Sequence, residues 1–310
     1  MNFVSRFLDP ALLERLNHLQ LSARSVVEGT VSGLHRSPVK GASVEFRQHR
    51  FYAPGDDLRH LDWRVLGRTD RPYVKEYDEE TNLRCAVVLD ASGSMSYAGS
   101  SPEAATAATA DDAPAAASKF DYACRLVASL AYLMLGQTES VGMAVATRKV
   151  DHWLQPHAGI SQLAHVIDLL ERSTPRGASD LGAALADVAD RLDRRALVIA
   201  VSDCFTPVAR IRPGLARLRH DRHETIVIQV LHRDEVEFPF KRWSRFRGTE
   251  GERPKLCEPA LVKKVYLDNF RRHRADLEQA CRAVGAEFYS FTTDRSLIES
   301  VTQLLRRRAK

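Results

Sequence analysis

No apolar run in this chain approaches the roughly 18 residues needed to cross a bilayer. The first twenty residues mix charges with leucines, without the basic-then-apolar order of a secretion signal. Both absences point to a cytoplasmic protein with no membrane role. Cysteine is scarce: Cys85, Cys124, Cys204, Cys257 and Cys281 are odd in number and form no C-x-x-C pair. That excludes a disulfide framework or a zinc knuckle and fits a reducing compartment. Neither G-x-x-x-x-G-K-[ST] nor G-x-G-x-x-G occurs, and the glycine-bounded stretch 33–41 has no lysine at a helix start, so neither phosphate loop is available. Charge of one sign is also lacking, since 45 Lys and Arg stand against 40 Asp and Glu for a net +5. The densest basic runs, Arg271, Arg272 and Arg274 and then Arg306–Arg308, read as a solvated helix face and a terminal tail, not a polyanion site. His152 and His157 lack a clustered third ligand, and Cys204 has no histidine beside it, so zinc chemistry and thiol catalysis have no constellation.

What is present is an alternation of periods. With 310 residues, 44% of them hydrophobic, the chain can build one large α/β domain with a smaller satellite. Leucines at 8, 12, 13, 16, 19 and 21 predict an amphipathic opening helix. Strand alternation at 43–52, a turn at Pro54-Gly55-Asp56-Asp57 and a second strand at 73–77 complete a small α+β unit over residues 1–80. Continuous apolar runs at 85–89, 141–146, 196–201, 225–231 and 287–291 are those of strands buried on both faces. Between them lie helical patterns at 120–135, 160–170, 181–192, 208–218 and 259–284. Residues 81–310 are therefore expected to form a doubly wound, mostly parallel sheet with helices on both faces, and 151–154 an antiparallel edge. Two segments interrupt the rhythm. Residues 97–118 are an Ala, Ser, Thr and Asp tract expected to be a disordered insertion, and 234–258 read as an irregular excursion or small hairpin whose aromatics close over the domain edge.

The chemistry gathers at strand ends, where open α/β sheets bind ligands. Asp90-Ala91-Ser92-Gly93-Ser94 leaves the first buried strand, Ser179 precedes a helix, and Asp203 follows a later buried strand. Alone, the first fragment is equally an ordinary turn into a helix cap. Together the three loops offer two carboxylates and three hydroxyls, an oxygen set suited to a hard cation such as Mg2+.

These three pieces resemble the metal-ion-dependent adhesion site of von Willebrand factor type A domains. The resemblance implies that Asp90, Ser92, Ser94, Ser179 and Asp203 hold a divalent cation, Ser179 standing where the family usually has threonine. It also implies an open coordination position filled by an acidic residue of a protein partner. Upstream, Arg50-Phe51-Tyr52-Ala53-Pro54-Gly55-Asp56-Asp57-Leu58-Arg59-His60-Leu61-Asp62-Trp63-Arg64, then Arg68 and Tyr73-Val74-Lys75-Glu76, resembles the signature of the domain-of-unknown-function 58 family. Members are similar to bacterial proteins found beside MoxR-type AAA+ ATPases, which implies such an ATPase as partner.

Within that signature, one expectation is a turn in which Asp56, Asp57 and Asp62 pair with Arg59, Arg64 and Arg68 over a packed Trp63. The other is a docking surface made of Asp57, Arg59, Asp62, Trp63, Arg64 and Arg68. The leading functional expectation is a metal-dependent interaction module, an adaptor for an ATPase in assembly or maturation of other proteins, and not an enzyme. Metal-assisted hydrolysis at the same cation is the alternative, and it needs a general base that these loops do not supply. Nucleic-acid binding is the second alternative, and it needs a contiguous basic face.

Overall fold

The computed structural model describes residues 5–8, 10–17, 44–52, 61–79, 83–100, 118–251 and 253–308. The chain divides into two units, residues 30–82 and residues 1–29 with 83–310. In the smaller unit β1 (Val44–Phe51) pairs antiparallel with β2 (Tyr73–Glu79), with a register shift between Phe46 and Gln48. Leu61 bridges Val74, and Phe51 packs on Tyr73 with ring centroids 4.5 Å apart. Where sequence suggested a turn stitched by ion pairs, a short helix α2 (Trp63–Thr69) forms. Asp62 starts it, its carboxylate accepting from the Arg64 and Val65 N–H groups, the usual way an aspartate satisfies the open donors of a first turn. The turn at 54–57 and the glycine-rich stretch 33–41 lie outside the described residues.

The opening helix α1 (residues 10–17) belongs to the larger unit, not to the hairpin with which sequence grouped it. Leu12 and Leu16 are buried in that unit's core, and the Tyr132 hydroxyl donates to Asn17. The leucine stripe needs a large apolar face, and the helix Lys119–Leu135 with the main sheet supplies one.

That sheet comprises β3 (Arg84–Asp90), β4 (Ser140–Ala146), β5 (Val150–His157), β6 (Leu197–Ser202), β7 (Glu224–Leu231) and β10 (Glu287–Thr292). Its order is β10-β7-β6-β3-β4-β5, all parallel except β5, which is the expected antiparallel edge. Side chains alternate strictly across it, as strand geometry requires. Cys85, Val87 and Leu89 of β3 face a core shared with α1, α3 (Lys119–Leu135), α4 (Ser161–Arg172) and α9 (Leu297–Arg308). Ala86 and Val88 face the opposite core, built with α5 (Leu181–Arg191), α6 (Val208–His220) and α8 (Pro259–Ala283). This is the doubly wound α/β architecture expected of a von Willebrand factor type A-like domain. Among the described residues no helix is long and apolar enough to cross a membrane.

Two details position the loops. Chain winding reverses between β3 and β6, so their carboxyl ends flank the topological switch point where such sheets open a crevice. Helices α5 and α6 touch backbone to backbone: a Cβ on Gly182 would lie 1.8 Å from the Arg210 carbonyl oxygen, and one on Gly214 2.3 Å from that of Gly182. The excursion after β7 is more regular than expected. It holds α7 (Arg233–Glu237) and the hairpin β8 (Ser244–Phe246) with β9 (Lys255–Cys257). Phe238, Phe240 and Phe246 do close on one another, with centroids 5.0–5.7 Å apart, whereas Trp243 is exposed. Of the tract at 97–118, residues 101–117 lie outside the described residues. Its start is held: the Tyr97 hydroxyl donates to Asp234, and the Tyr97 carbonyl accepts from the Lys119 N–H.

Candidate metal site

The switch point places Asp90 at the last position of β3 and Asp203 directly after β6. The loop after Asp90 is pinned on both sides. Ala91 N–H continues the ladder to the Ala146 carbonyl at 2.8 Å, and Gly93 N–H reaches the Gly177 carbonyl at 2.8 Å. The D-x-S-x-S loop and the Ser179 loop are thereby locked together. Gly93 is required for this, because a Cβ there would meet the Thr249 carbonyl oxygen at 2.1 Å and that of Gly177 at 3.2 Å. The β8–β9 hairpin tip thus rests on the loop, and Glu250 Oε2 accepts from the Ser179 N–H at 3.3 Å.

Asp90 is the hub. Its Oδ1 accepts from the Ser92 N–H at 2.8 Å, and its Oδ2 from the hydroxyls of Ser179 at 2.9 Å and Ser202 at 2.6 Å. Ser92 and Ser94 share a hydroxyl hydrogen bond of 3.0 Å, and Thr206 donates to Ser179 Oγ at 3.3 Å. Four of the five expected ligands, Asp90, Ser92, Ser94 and Ser179, therefore meet at one edge. Asp203 lies beside them, close enough that its charge, after burial, helps push the Asp90 carboxyl up to about 6.

The hydrogen bonds of Asp203 go elsewhere. Its Oδ1 accepts from the Phe205 N–H at 3.2 Å and its Oδ2 from Lys119 Nζ at 2.8 Å. Lys119, wholly buried at the first turn of α3, also donates to Glu235 at 2.7 Å and sits 4.9 Å from the Phe205 ring centroid. Burial alone would pull its pKa down, but Asp203 and Glu235 override that and hold it above the ordinary value. Lys119, Glu235, Ser202 and Thr206 escaped sequence reasoning. Only Ser202 carried a signal, its place next to Asp203. The lysine follows a low-complexity tract and joins the site through the fold alone.

Cys204 is buried in the second core, with a thiol pushed far up by burial and by Asp203, consistent with a packing residue. His152 and His157 are exposed on β5. In the small unit, Asp62 is a helix cap, and Arg64 and Arg68 are exposed. Trp63 is exposed as well, which corrects the expectation that it packs beneath the turn. Leu61, bridged to Val74, takes the buried place, and α2 buries no residue of its own. Asp57 and Arg59 lie outside the described residues.

Residues 48–276 match the family described as "Protein of unknown function DUF58". The chain belongs to that family. Among its relatives, uncharacterized protein Rv1480 of Mycobacterium tuberculosis and uncharacterized protein Mb1516 of Mycobacterium bovis are each 27% identical over 312 residues, spanning 97% of this chain and 91% of theirs. Among solved structures, BatB from Bacteroides thetaiotaomicron aligns with 73% of this chain and 98% of its own at 13% identity and a TM-score of 0.46. The VWA domain of SpRpn10 aligns with 72% and 95% at 10% identity and a TM-score of 0.38.

In this DUF58 chain the donor set is oxygen only. Among the described residues no cluster of three or more His, Cys, Asp or Glu is placed to hold a metal, so a cation here relies on hydroxyls beside two carboxylates. The charge balance favours one. Among the described residues, Asp203 and Glu235 share the ammonium of Lys119, and Asp90 has no hydrogen bond to it. Asp90, 3% exposed, has only neutral donors among the described residues, and an uncompensated buried carboxylate is expensive. The residues present thus fit a hard divalent cation next to Asp90.

Proposed function

We propose that this DUF58 protein is a metal-ion-dependent protein-interaction module that serves as an adaptor for a MoxR-type AAA+ ATPase in the assembly or maturation of other proteins. The observation that supports it is Asp90: a buried carboxylate at the topological switch point, ringed by hydroxyls, next to a second buried carboxylate and, among the described residues, without a cationic partner of its own. Asp90, Ser92, Ser94 and Ser179 would hold Mg2+, with Asp203 beside them. A cation bound there supplies positive charge at the crevice and a position that a partner's carboxylate can fill. The protein's own groups do the rest. Ser202 and the Ser92 N–H fix the Asp90 carboxylate, the Gly93–Gly177 bond fixes the two loops, and Lys119 holds Asp203 in place. The ATPase as partner rests only on what the resemblance of the 50–76 signature implies.

The test is calorimetric titration of a MoxR-type ATPase with this protein, in magnesium and then in chelator, for the native chain and Asp90→Ala. Binding in magnesium that disappears in chelator and in the variant is the expected result. Equal affinity in all conditions would remove the cation from recognition.

A further inference from the structure

The formal net charge of the whole chain, +5, is contained in residues 241–264, where eight Lys and Arg stand against three Glu. Charges elsewhere cancel. Arg242, Arg245, Arg247 and Lys255 are exposed, and none forms an ion pair among the described residues. Set among these charges are Trp243 at 66% exposure, Leu256 at 66%, Leu261 at 76% and Val265 at 62%. With Val262 they make five of the nine large exposed hydrophobic residues described, within a span of 23 residues.

The span is held together through Phe238. Phe238 stacks on Phe246 of β8 with centroids 5.7 Å apart and lies 4.7 Å from Tyr266 of α8. Lys263 Nζ donates to the Phe238 carbonyl at 2.9 Å. The hairpin is thereby fastened to the first turns of α8, and its tip at Thr249 reaches the Gly93 loop of the crevice.

Clustered apolar side chains rimmed by polar ones mark interaction surfaces, and the sign of the rim selects the partner. A single-stranded nucleic acid is a poor fit, since binding of that kind relies on open aromatic planes for stacking. Here Phe238, Phe240 and Phe246 are spent on one another, and the exposed residues other than Trp243 are aliphatic. Leu261 and Val265 stand one helical turn apart, the spacing that meets apolar residues of a partner helix. We propose that the β8–β9 hairpin and the first turns of α8 form a docking platform for an acidic amphipathic segment of a partner protein.

Docking on the platform needs no cation, and its test is run in chelator so that either reading can fail alone. A fluorescently labelled synthetic peptide, with leucines at i, i+4 spacing and glutamates elsewhere, is titrated with the full chain and followed by anisotropy. Saturable binding is expected, weakened about tenfold or more by Leu261→Asp with Val265→Asp, and several-fold by Arg245→Glu with Lys255→Glu. Because these side chains are exposed, the unfolding temperature should stay unchanged in both variants, which separates lost docking from lost folding. Absence of saturable binding, or unchanged affinity in the variants, overturns the platform. So does equal binding of a peptide of the same composition with scrambled spacing. Preferential binding of phosphatidylglycerol vesicles or of oligo(dT) in the same assay overturns it in favour of a lipid or nucleic-acid surface.

Discussion

Lys119 shows how a single residue can set the terms of a site. Its ammonium is wholly buried and joined to Asp203 and Glu235, so replacing it with an apolar isostere strands two carboxylates in the interior. Lys119→Met is expected to destabilise the protein by roughly 3–5 kcal/mol, the usual result of removing one partner from a buried ion pair, measured by urea unfolding. A loss below about 1 kcal/mol would mean that the two acids find other partners. His223 makes the opposite kind of statement. Its Nδ1 accepts from the Ala196 N–H at 3.1 Å, and its buried Nε2 has no partner among the described residues, so the fold holds the neutral ring and burial lowers the pKa below 6.5. A lowered histidine pKa adds stability above the unfolded value, and that stability is lost as pH falls through the folded value. Unfolding free energy should therefore decline from pH 7 towards pH 5. His223→Asn, which keeps an acceptor near the Nδ1 position but cannot titrate, should flatten that decline, and an unaltered slope would assign it to other groups.

At the scale of elements, the approach of α5 to α6 matters most for the site, because α5 begins two residues after Ser179. Gly182 and Gly214 let the two backbones touch, and a methyl group on either has nowhere to go except into a carbonyl oxygen. Gly182→Ala is expected to lower stability by about 1–3 kcal/mol through overpacking, despite the better helix propensity of alanine. It should also weaken any magnesium-induced stabilisation, since the helices can part only by shifting the Ser179 loop. Calorimetric unfolding with and without magnesium reads both effects. A variant as stable as the native chain would show that the pair separates freely.

For the whole molecule, the site is a property of sheet topology. Asp90 and Asp203 are 113 positions apart in sequence, yet adjacent because β3 and β6 pair in parallel register across the reversal of winding. A cation that binds only the assembled edge must stabilise the folded state by mass action, about 2.7 kcal/mol at a hundredfold excess over its dissociation constant. Magnesium should therefore raise the unfolding temperature, chelator should reverse the rise, and Asp90→Ala should abolish it. Ser179→Thr should retain it, because the hydroxyl remains. A full response in Asp90→Ala would place the cation elsewhere.

Much of this was legible in the sequence because burial on both faces of a parallel strand leaves a continuous apolar run, and the loops after such runs must lie at one edge. The five buried runs, the helices between them and the antiparallel strand after β4 follow from periodicity alone. So does the position of Asp90, Ser92, Ser94 and Asp203 at strand ends, whereas Ser179 sits in the loop between α4 and α5. Periodicity is blind to contacts between residues far apart in the chain. The pairing of Lys119 with Asp203, the hairpin tip on Gly93, the glycine contact between α5 and α6 and the packing of α1 into the larger core are all of that kind. Composition likewise gave only a small net charge. Its concentration in residues 241–264 can be counted along the chain, but the exposure of the leucines and valines beside it was decided by the fold, which fastens that segment through Phe238 and leaves these side chains to solvent.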